Sequence, residues 1–489
     1  MLFRSPTSAA RRYAAEVGYV DREVGRLLGG LPIAPERLVI AAVGDHGEML
    51  GEHGEAGHGL FLYRASLEVP LILAGPGVPS GRVVAATVGT RGLASTLLGL
   101  ADAGDDGVSF GPALPLHDTG ETDAEAVYSE TLLPATAYGW SPLRALTEGG
   151  WRLVQAPRPE LYDFRGDPGE SRNLYRVASR ERSRLEQALG RRQVGKRPPA
   201  PRVEPDAEVT ESLRSLGYLS GMSGGREGTI DPKDGLAMLS ELERAREEIR
   251  AGRHRQALTT LEHLVRRSPG NVPFLTRLAQ AQAASGQKEP ALATLRRAVA
   301  LNPRLDFLHL RLADESLEQG RLEEAGAAYE RALALNPRFA PAWLGLGEVG
   351  RRAGGAEEER RILGRAEASG VESAALAARL AQIDLASGRP DSAELYAREA
   401  TRLLPEYAAG WWLVGEAEEK QGRAKDAVEP YEKAVALGLA RPDALLHLGR
   451  LLLAQGEHQR ARGYLGRAAE QGRGTPAGEQ ARRLLGPSE

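Results

Sequence analysis

The sequence contains no cysteine. That excludes disulfides and thiolate metal sites, and it leaves the compartment open. No apolar run approaches the roughly eighteen residues a membrane-spanning helix needs, so no transmembrane segment is expected. Neither sign of charge prevails. A formal net charge of -3 gives no electrostatic case for nucleic acid or an anionic membrane as partner. The opening residues, MLFRSPTSAARRYAAEV, lack the apolar centre of a signal peptide. If Met1 is not the natural start, that lack says nothing of the natural protein, and localisation is left open. Aromatic residues are scarce, and 58 glycines fit a chain of closely packed helices with many tight turns.

What is present divides in two. The 489 residues suffice for roughly two to four domains, and 26% charged with 42% hydrophobic residues is ordinary for a soluble chain. The densest chemistry lies in GDHGEMLGEHGEAGHGLFLY, from Gly44 to Tyr63. Before it runs Leu38-Val39-Ile40-Ala41-Ala42-Val43, a short β-branched run that reads as a buried strand. Asp45 and His46 follow at once, which places a carboxylate and an imidazole at the carboxyl end of a strand. Open α/β sheets bind their ligands there. Such a pair can hold a divalent cation, and the imidazole favours a transition metal over calcium. An ordinary turn is the competing reading of Asp-His-Gly.

The continuation Glu48-Met49-Leu50-Gly51-Glu52-His53-Gly54, then His58-Gly59 and Phe61-Leu62-Tyr63, resembles the metal-and-anion loop of the sulfatases, in the alkaline phosphatase superfamily. The resemblance continues through Val69-Pro70-Leu71-Ile72-Leu73, Gly75-Pro76-Gly77, Glu160-Leu161-Tyr162-Asp163, Asp167-Pro168-Gly169-Glu170 and Asn173-Leu174, and so covers roughly residues 10 to 190. It implies Asp45 and His46 as metal ligands and His58 as the contact to the sulfate or phosphate. It implies a divalent metal, Ca2+ by the family pattern, while His46 also admits Mn2+ or Zn2+. The family opens with two further acidic ligands and a Cys/Ser-x-Pro-Ser-Arg nucleophile motif, and neither occurs in this sequence. Related phosphotransferases use Thr or Ser there, and no matching segment is present for them. Met1 falls in what the family would call the middle of its domain, so the chain reads as the second half of a hydrolase domain.

The expected fold class is α/β, a partial sulfatase-type sheet with helices plus a small antiparallel subdomain, followed by an all-α solenoid. Residues 1–120 are expected to form the catalytic half-core, 121–190 the antiparallel subdomain, 191–235 a linker and 236–489 the solenoid. Residues 8 to 29 read as a core-packed helix with Tyr13, Val17, Val20, Val24 and Leu27 or Leu28 on one face. Val69 to Ala74 reads as a strand, and Arg91 to Ala101 as a helix with Leu93, Leu97, Leu98 and Leu100 inward. Asp102 to Glu125 reads as a surface connection. Val127 to Ser129, Leu143 to Thr147, Trp151 to Gln155 and Leu161 to Asp163 read as strands, with a hairpin turn at Glu148-Gly149-Gly150. Trp140 and Trp151 are expected to pack rather than line a cleft. His53 and His117 are expected to be solvated, and Tyr63 either borders the site or simply packs. Residues 191 to 234, with four prolines between 198 and 205, cannot bury a core, and Glu211 to Tyr218 is a short helical patch within them.

From Leu236 the period changes. Gly252, Gly286, Gly320, Gly354, Gly388, Gly422 and Gly456 recur every 34 residues. Small residues precede each by seven positions, at Ala245, Ala279, Ala313, Gly347, Ala381, Gly415 and Gly449. A 34-residue period with this code resembles the tetratricopeptide repeat (TPR), in which small residues let paired helices approach. Seven copies begin near 238, 272, 306, 340, 374, 408 and 442, and Ala477 to Leu485 is a capping helix. Copy four departs from the pattern, with Glu359 at an alanine position and Val371 at a proline position. Trp343, Trp411 and Trp412 are expected in the repeat core. The resemblance implies a protein or peptide partner in the groove, with a spacer or oligomerisation arm as the bland alternative. Two functions are therefore in play: a metal-dependent ester hydrolase with an interaction arm, lacking its nucleophile in this chain, or a TPR scaffold carrying a relic hydrolase domain.

Overall fold

The structure, a computed structural model, describes residues 8–103, 112–117, 126–194 and 228–486. The expected helical patch from Glu211 to Tyr218 and most of the connection from Asp102 to Glu125 lie outside the described residues. The chain forms two compact units, residues 1–286 and residues 287–489.

The first unit opens with α1 (Ser8–Gly30). Its apolar stripe is not core. Tyr13, Val17, Val20, Val24 and Leu27 are all exposed, which corrects the expectation of core packing. Amphipathic spacing shows that a helix could bury a face, not that a partner surface covers it. Strand β1 (Ile40–Val43) follows. It pairs antiparallel with β4 (Leu71–Ala74), Ile40 opposite Ala74 and Val43 opposite Leu71. The strand is not buried as its β-branched residues suggest. Among the described residues the ribbon has only these two strands, and Val43 and Ile72 stay exposed. Between β1 and β4 lie the two-residue pair β2 (Met49–Leu50) and β3 (Ala56–Gly57) and one helical turn, α2 (Arg64–Leu67).

Helix α3 (Leu93–Leu100) buries Ser95 and Thr96, whereas its leucines are only half-buried. The Thr96 hydroxyl donates to Gly92 O at 2.7 Å and accepts from Leu114 N at 2.8 Å. Satisfying polar groups at that contact sets the inward face, against the leucine-based expectation. A four-stranded antiparallel meander then runs β5 (Val127–Thr131), β6 (Leu143–Glu148), β7 (Trp151–Gln155) and β8 (Glu160–Asp163). Gly149 and Gly150 both take positive φ between the paired Glu148 and Trp151, as a twist-matched two-residue hairpin requires. Leu185 and Leu189, one turn apart on α5 (Ser179–Val194), pack with Leu146, Leu153 and Leu161 as the core under this sheet.

A short helix, α4 (Leu133–Tyr138), inserted between β5 and β6, leads to Trp140, which is fully buried. Trp140 lies against Gly235 of α6 (Pro232–Arg250), the first repeat helix. A Cβ on Gly235 would sit 2.4 Å from the indole ring, so only glycine allows this approach. Asp231 ties the same junction. Its Oδ1 caps α6 by accepting from Lys233 N, and its Oδ2 accepts from Arg158 N at 2.9 Å. Helices α7 (His254–Arg267) and α8 (Val272–Ala284) complete the unit. Asn271 caps α8 through Phe274 N and donates to Tyr138 O at 3.0 Å. The antiparallel subdomain and the first repeat helices therefore share one polar and apolar seam.

The second unit holds helices α9 (Lys288–Leu301) through α20 (Pro476–Leu485). From Val272 onward the first helix of each pair starts at 272, 306, 340, 374, 408 and 442, the sequence register. Small residues do the expected work. A Cβ on Gly415 would lie 2.7 Å from the Tyr431 ring, and one on Gly449 would lie 2.7 Å from Leu465. Copy four is built differently from the expectation. The left-handed turn residue is Gly355 at φ 81, and Gly354 stays inside its helix, α12 (Ala340–Gly354). Glu359 is buried and receives both Nε and Nη2 of Arg379, at 2.7 and 2.9 Å. An ion pair thus fills the place where other copies use alanine. Trp343 is core, and its indole N–H donates to Pro337 O at 2.8 Å. Trp411 and Trp412 are half-buried. No described helix is long and apolar enough to cross a membrane.

Candidate metal and anion site

The loop from Gly44 to Tyr63 is held in shape by its glycines and one buried carboxylate. Gly47 N donates to Ser66 O at 2.9 Å, and a Cβ on Gly47 would lie 2.1 Å from Ala65 O. No other residue fits between Asp45-His46 and α2. Gly51, Gly54, Gly57 and Gly59 all take left-handed φ, which lets twelve residues fold back on themselves. Glu55 staples the far side, accepting from Leu60 N at 2.8 Å and Phe61 N at 3.1 Å. Burial pushes the Glu55 carboxyl up, against the pull of those two amides. The loop also rests on the repeat helix α6, where a Cβ on Gly54 would lie 2.6 Å from Leu236 Cδ2.

This folding places the sequence-derived residues as follows. Asp45 is almost wholly exposed at 88% of its side chain. Its Oδ1 accepts from His46 N at 3.0 Å, and its Oδ2 stands 3.7 Å from His46 Nε2. His46 Nδ1–H donates to Gly47 O at 2.9 Å, which leaves Nε2 as the free lone pair. His58 comes back across the loop and stacks on His46, ring centroids 3.6 Å apart. Its Nδ1 is 3.0 Å from Glu48 Oε2. Asp45, His46 and His58 are thus brought to one place, and Glu48 is brought there with them. The sequence reading left Glu48 without a role. Its position two residues after His46, in the same short loop, was the available signal.

A divalent cation is what the sulfatase resemblance implies here, and the donor set suits one. One ligand atom each from His46, Glu48 and His58 all lie within 4.8 Å of one another. Asp45 adds a carboxylate beside His46.

A separate cleft of about 340 Å3 opens on the other aromatic pair, lined by Glu52, His53, Tyr63, Arg64, Glu68 and Glu170 among others. His53 is exposed, as expected of a solvated loop residue, but it also has a packing role. Its ring stacks on Tyr63 at 3.6 Å, and it holds φ 50 to do so. Glu170, also left-handed at φ 48, is buried. It accepts from Arg64 N and pairs with the buried guanidinium of Arg152. Burial pushes Arg152 down, and Glu170 opposes that. Two non-glycine residues in strained backbone facing one cleft mark a shaped surface. Tyr63 both packs and borders the cleft. Its hydroxyl donates to Glu160 at 3.2 Å, and burial, then the Glu160 charge, push its pKa up. Trp140 packs, as expected, and His117 is exposed.

Residues 3–103 match the family model described as Sulfatase. Tetratricopeptide-repeat models match residues 248–311, 378–443 and 431–478, and a TPR repeat model matches 313–350. A choline-sulfatase of Rhizobium meliloti (strain 1021) is 34% identical over 175 residues, 34% of this chain and 32% of that protein. A sulfatase of Formosa agariphila (strain DSM 15362 / KCTC 12365 / LMG 23005 / KMM 3901 / M-2Alg 35-1) is 32% identical over 167 residues, 32% of this chain and 31% of that protein. The chain therefore spans about a third of the length of the curated relatives it matches. Among solved structures, YrrB, a TPR protein with an unusual peptide-binding site, is 20% identical, with a TM-score of 0.33 over 39% of this chain and 98% of that one.

Proposed function

We propose that this chain, a sulfatase-type region joined to tetratricopeptide repeats, is part of a metal-dependent hydrolase of sulfuric or phosphoric esters that its repeats deliver to a protein partner. The observation that carries the reading is the convergence of Asp45, His46 and His58 on one side of a glycine-built loop. Asp45 Oδ2 and His46 Nε2 are the donors toward the cation, and the Gly47 carbonyl fixes the His46 tautomer. A cation bound there would supply Lewis-acid charge to an S–O or P–O oxygen. His58 stands next to His46, where it can meet an anionic oxygen. Leu236 and Trp140 seat the loop and the subdomain on the first repeat helix, within one compact unit.

The sequence carries neither the Cys/Ser-x-Pro-Ser-Arg nucleophile motif nor the paired acidic ligands of the family. The 489-residue chain by itself should therefore turn over little. That same lack favours the second reading, a TPR scaffold with a non-catalytic hydrolase region, for which the repeats' peptide or protein partner is the whole function. The test is hydrolysis of aryl sulfate and aryl phosphate by the 489-residue chain with added calcium, manganese or zinc. Background rates are expected. Turnover that disappears in Asp45→Ala would show a complete site within this chain and overturn that expectation.

A further inference from the structure

We infer, on the reading that the repeats engage a protein partner, that the sixth and seventh repeats take an arginine side chain of that partner against Trp412, His447, Glu416 and Glu419.

Trp412, Glu416 and Glu419 stand at i, i+4 and i+7 on α16 (Ala408–Lys420), so they share one face of that helix. The first helix of the next pair, α18 (Pro442–Ala454), brings His447 beside them, its ring centroid 5.7 Å from that of Trp412. Between the two lies Tyr431 of α17 (Val428–Ala436), fully buried, 4.4 Å from the Trp412 ring and 5.2 Å from the His447 ring. Three helices thus build one aromatic wall. Trp412 is only half-buried, and 42% of the His447 side chain is exposed.

The two carboxylates on this wall are bonded without being neutralised by a lysine or arginine. Trp412 Nε1–H donates to Glu416 Oε1 at 3.0 Å. The Tyr431 hydroxyl donates to Glu419 Oε2 at 2.9 Å, and His447 Nε2 lies 2.9 Å from the same oxygen. Glu416 Oε2 and Glu419 Oε1 accept no bond among the described residues. No described lysine or arginine pairs with either carboxylate, although Lys420 is next in the chain and exposed. Elsewhere on the solenoid guanidinium groups answer the carboxylates: Arg351 and Arg352 on Glu348, Arg398 and Arg423 on Glu394, Arg460 on Glu432. Two such carboxylates beside a half-buried indole select a cation. Arginine suits both parts of the surface, because its flat guanidinium stacks on an aromatic face while its fork of N–H donors meets carboxylate oxygens. Stacked helix pairs supply the extended surface along which the rest of a peptide would lie.

The probe is a glycine-leucine heptapeptide with two arginines, made also with citrulline or glutamate in their places. Binding to the 489-residue chain is read from the fluorine resonances of incorporated fluorotryptophan, with that of Trp412 identified through Trp412→Phe. The arginine peptide should shift the Trp412 resonance saturably. The citrulline peptide keeps the shape and loses the charge, and should bind about 10-fold more weakly or worse. The glutamate peptide should leave the resonance in place. Glu416→Gln and Glu419→Gln retain an oxygen for the indole and the phenol, and each should weaken the arginine peptide by about 5-fold and the citrulline peptide by less than about 2-fold. Native-like amide exchange in α16 and α18 shows that the variants fold. Equal affinity for the arginine and citrulline peptides, or arginine affinity unchanged in both glutamine variants, would overturn the site and leave a peptide-binding arm. No saturable shift of Trp412 by the arginine peptide would overturn it outright. The hydrolase reading is judged by ester turnover and metal binding, so its failure is distinct from either.

Discussion

Gly235→Ala tests whether the first repeat helix and the antiparallel subdomain are one folded piece. The new Cβ would lie 2.4 Å from Cζ3 of Trp140 and 2.5 Å from both Cε3 and Cη2. Unstrained carbon contacts sit at about 3.5–4.0 Å, so the ring or the helix must give by about 1 Å. Overpacking of this kind costs about 1–3 kcal/mol. Alanine inside a helix returns up to about 1 kcal/mol relative to glycine, which leaves a net loss of about 0–2 kcal/mol. Trp140→Ala alone should cost about 3–5 kcal/mol, since the ring is fully buried. Its indole N–H finds no acceptor among the described residues, so no hydrogen bond is lost with it. With the ring gone, a methyl at 235 enters vacated space, and the same substitution should become stabilising by about 1 kcal/mol. The coupling energy of the cycle is then about 1–3 kcal/mol. A chain with two compact units is not expected to melt in one step, so the readout is native-state hydrogen exchange of amides in α6 and in β5 to β8. Gly235→Ala with the same sign in both backgrounds would refute the contact. An effect confined to α6 would refute the shared unit.

Three further outcomes follow from particular contacts. Asp384 is fully buried, and although burial pushes its carboxyl up, bonds from Arg360, Ser392 and Arg389 outweigh this and hold it below its ordinary 3.8. Its contribution is therefore whole above about pH 4 and fades as pH falls through the lowered value; hydrogen exchange in residues 374–403 should show that fall in wild type and not in Asp384→Asn, which should already be weaker at pH 7. Glu170→Gln strands the buried Arg152 guanidinium and should cost about 3–5 kcal/mol, whereas replacing both partners by apolar residues should cost less, as read from exchange in β7. The ribbon of β1 and β4 has two strands and an exposed face, so amides in residues 37–73 should exchange faster than those of the repeats, and equal protection would contradict that.

The sequence was informative wherever one short stretch carried the whole pattern. The 34-residue glycine register located six of the repeat starts because each helix pair repeats the same local packing problem. The loop from Gly44 to Tyr63 could be read for the same reason: glycine spacing and a strand end are local. Contacts between distant residues were not legible. Nothing at Trp140 announces Gly235, and nothing at Gly54 announces Leu236. His53 is exposed, as read, but its stacking on Tyr63 was not legible, because a left-handed backbone turn brings the two rings together. The stripe of α1 shows the opposite failure. Its spacing was right, yet burial depends on what lies across from it, and here the stripe is exposed. In copy four, a one-residue change of turn glycine and the Glu359–Arg379 pair break the local code without breaking the helix pair.

The central claim is that the Asp45-His46 loop binds a divalent cation. Equilibrium dialysis of the 489-residue chain against zinc, manganese and calcium, compared with His46→Ala, tests it most directly. The account predicts one equivalent of metal per chain for wild type and its loss in His46→Ala, with the repeats unaltered by circular dichroism. Equal binding by the two proteins, or none by wild type, would contradict it.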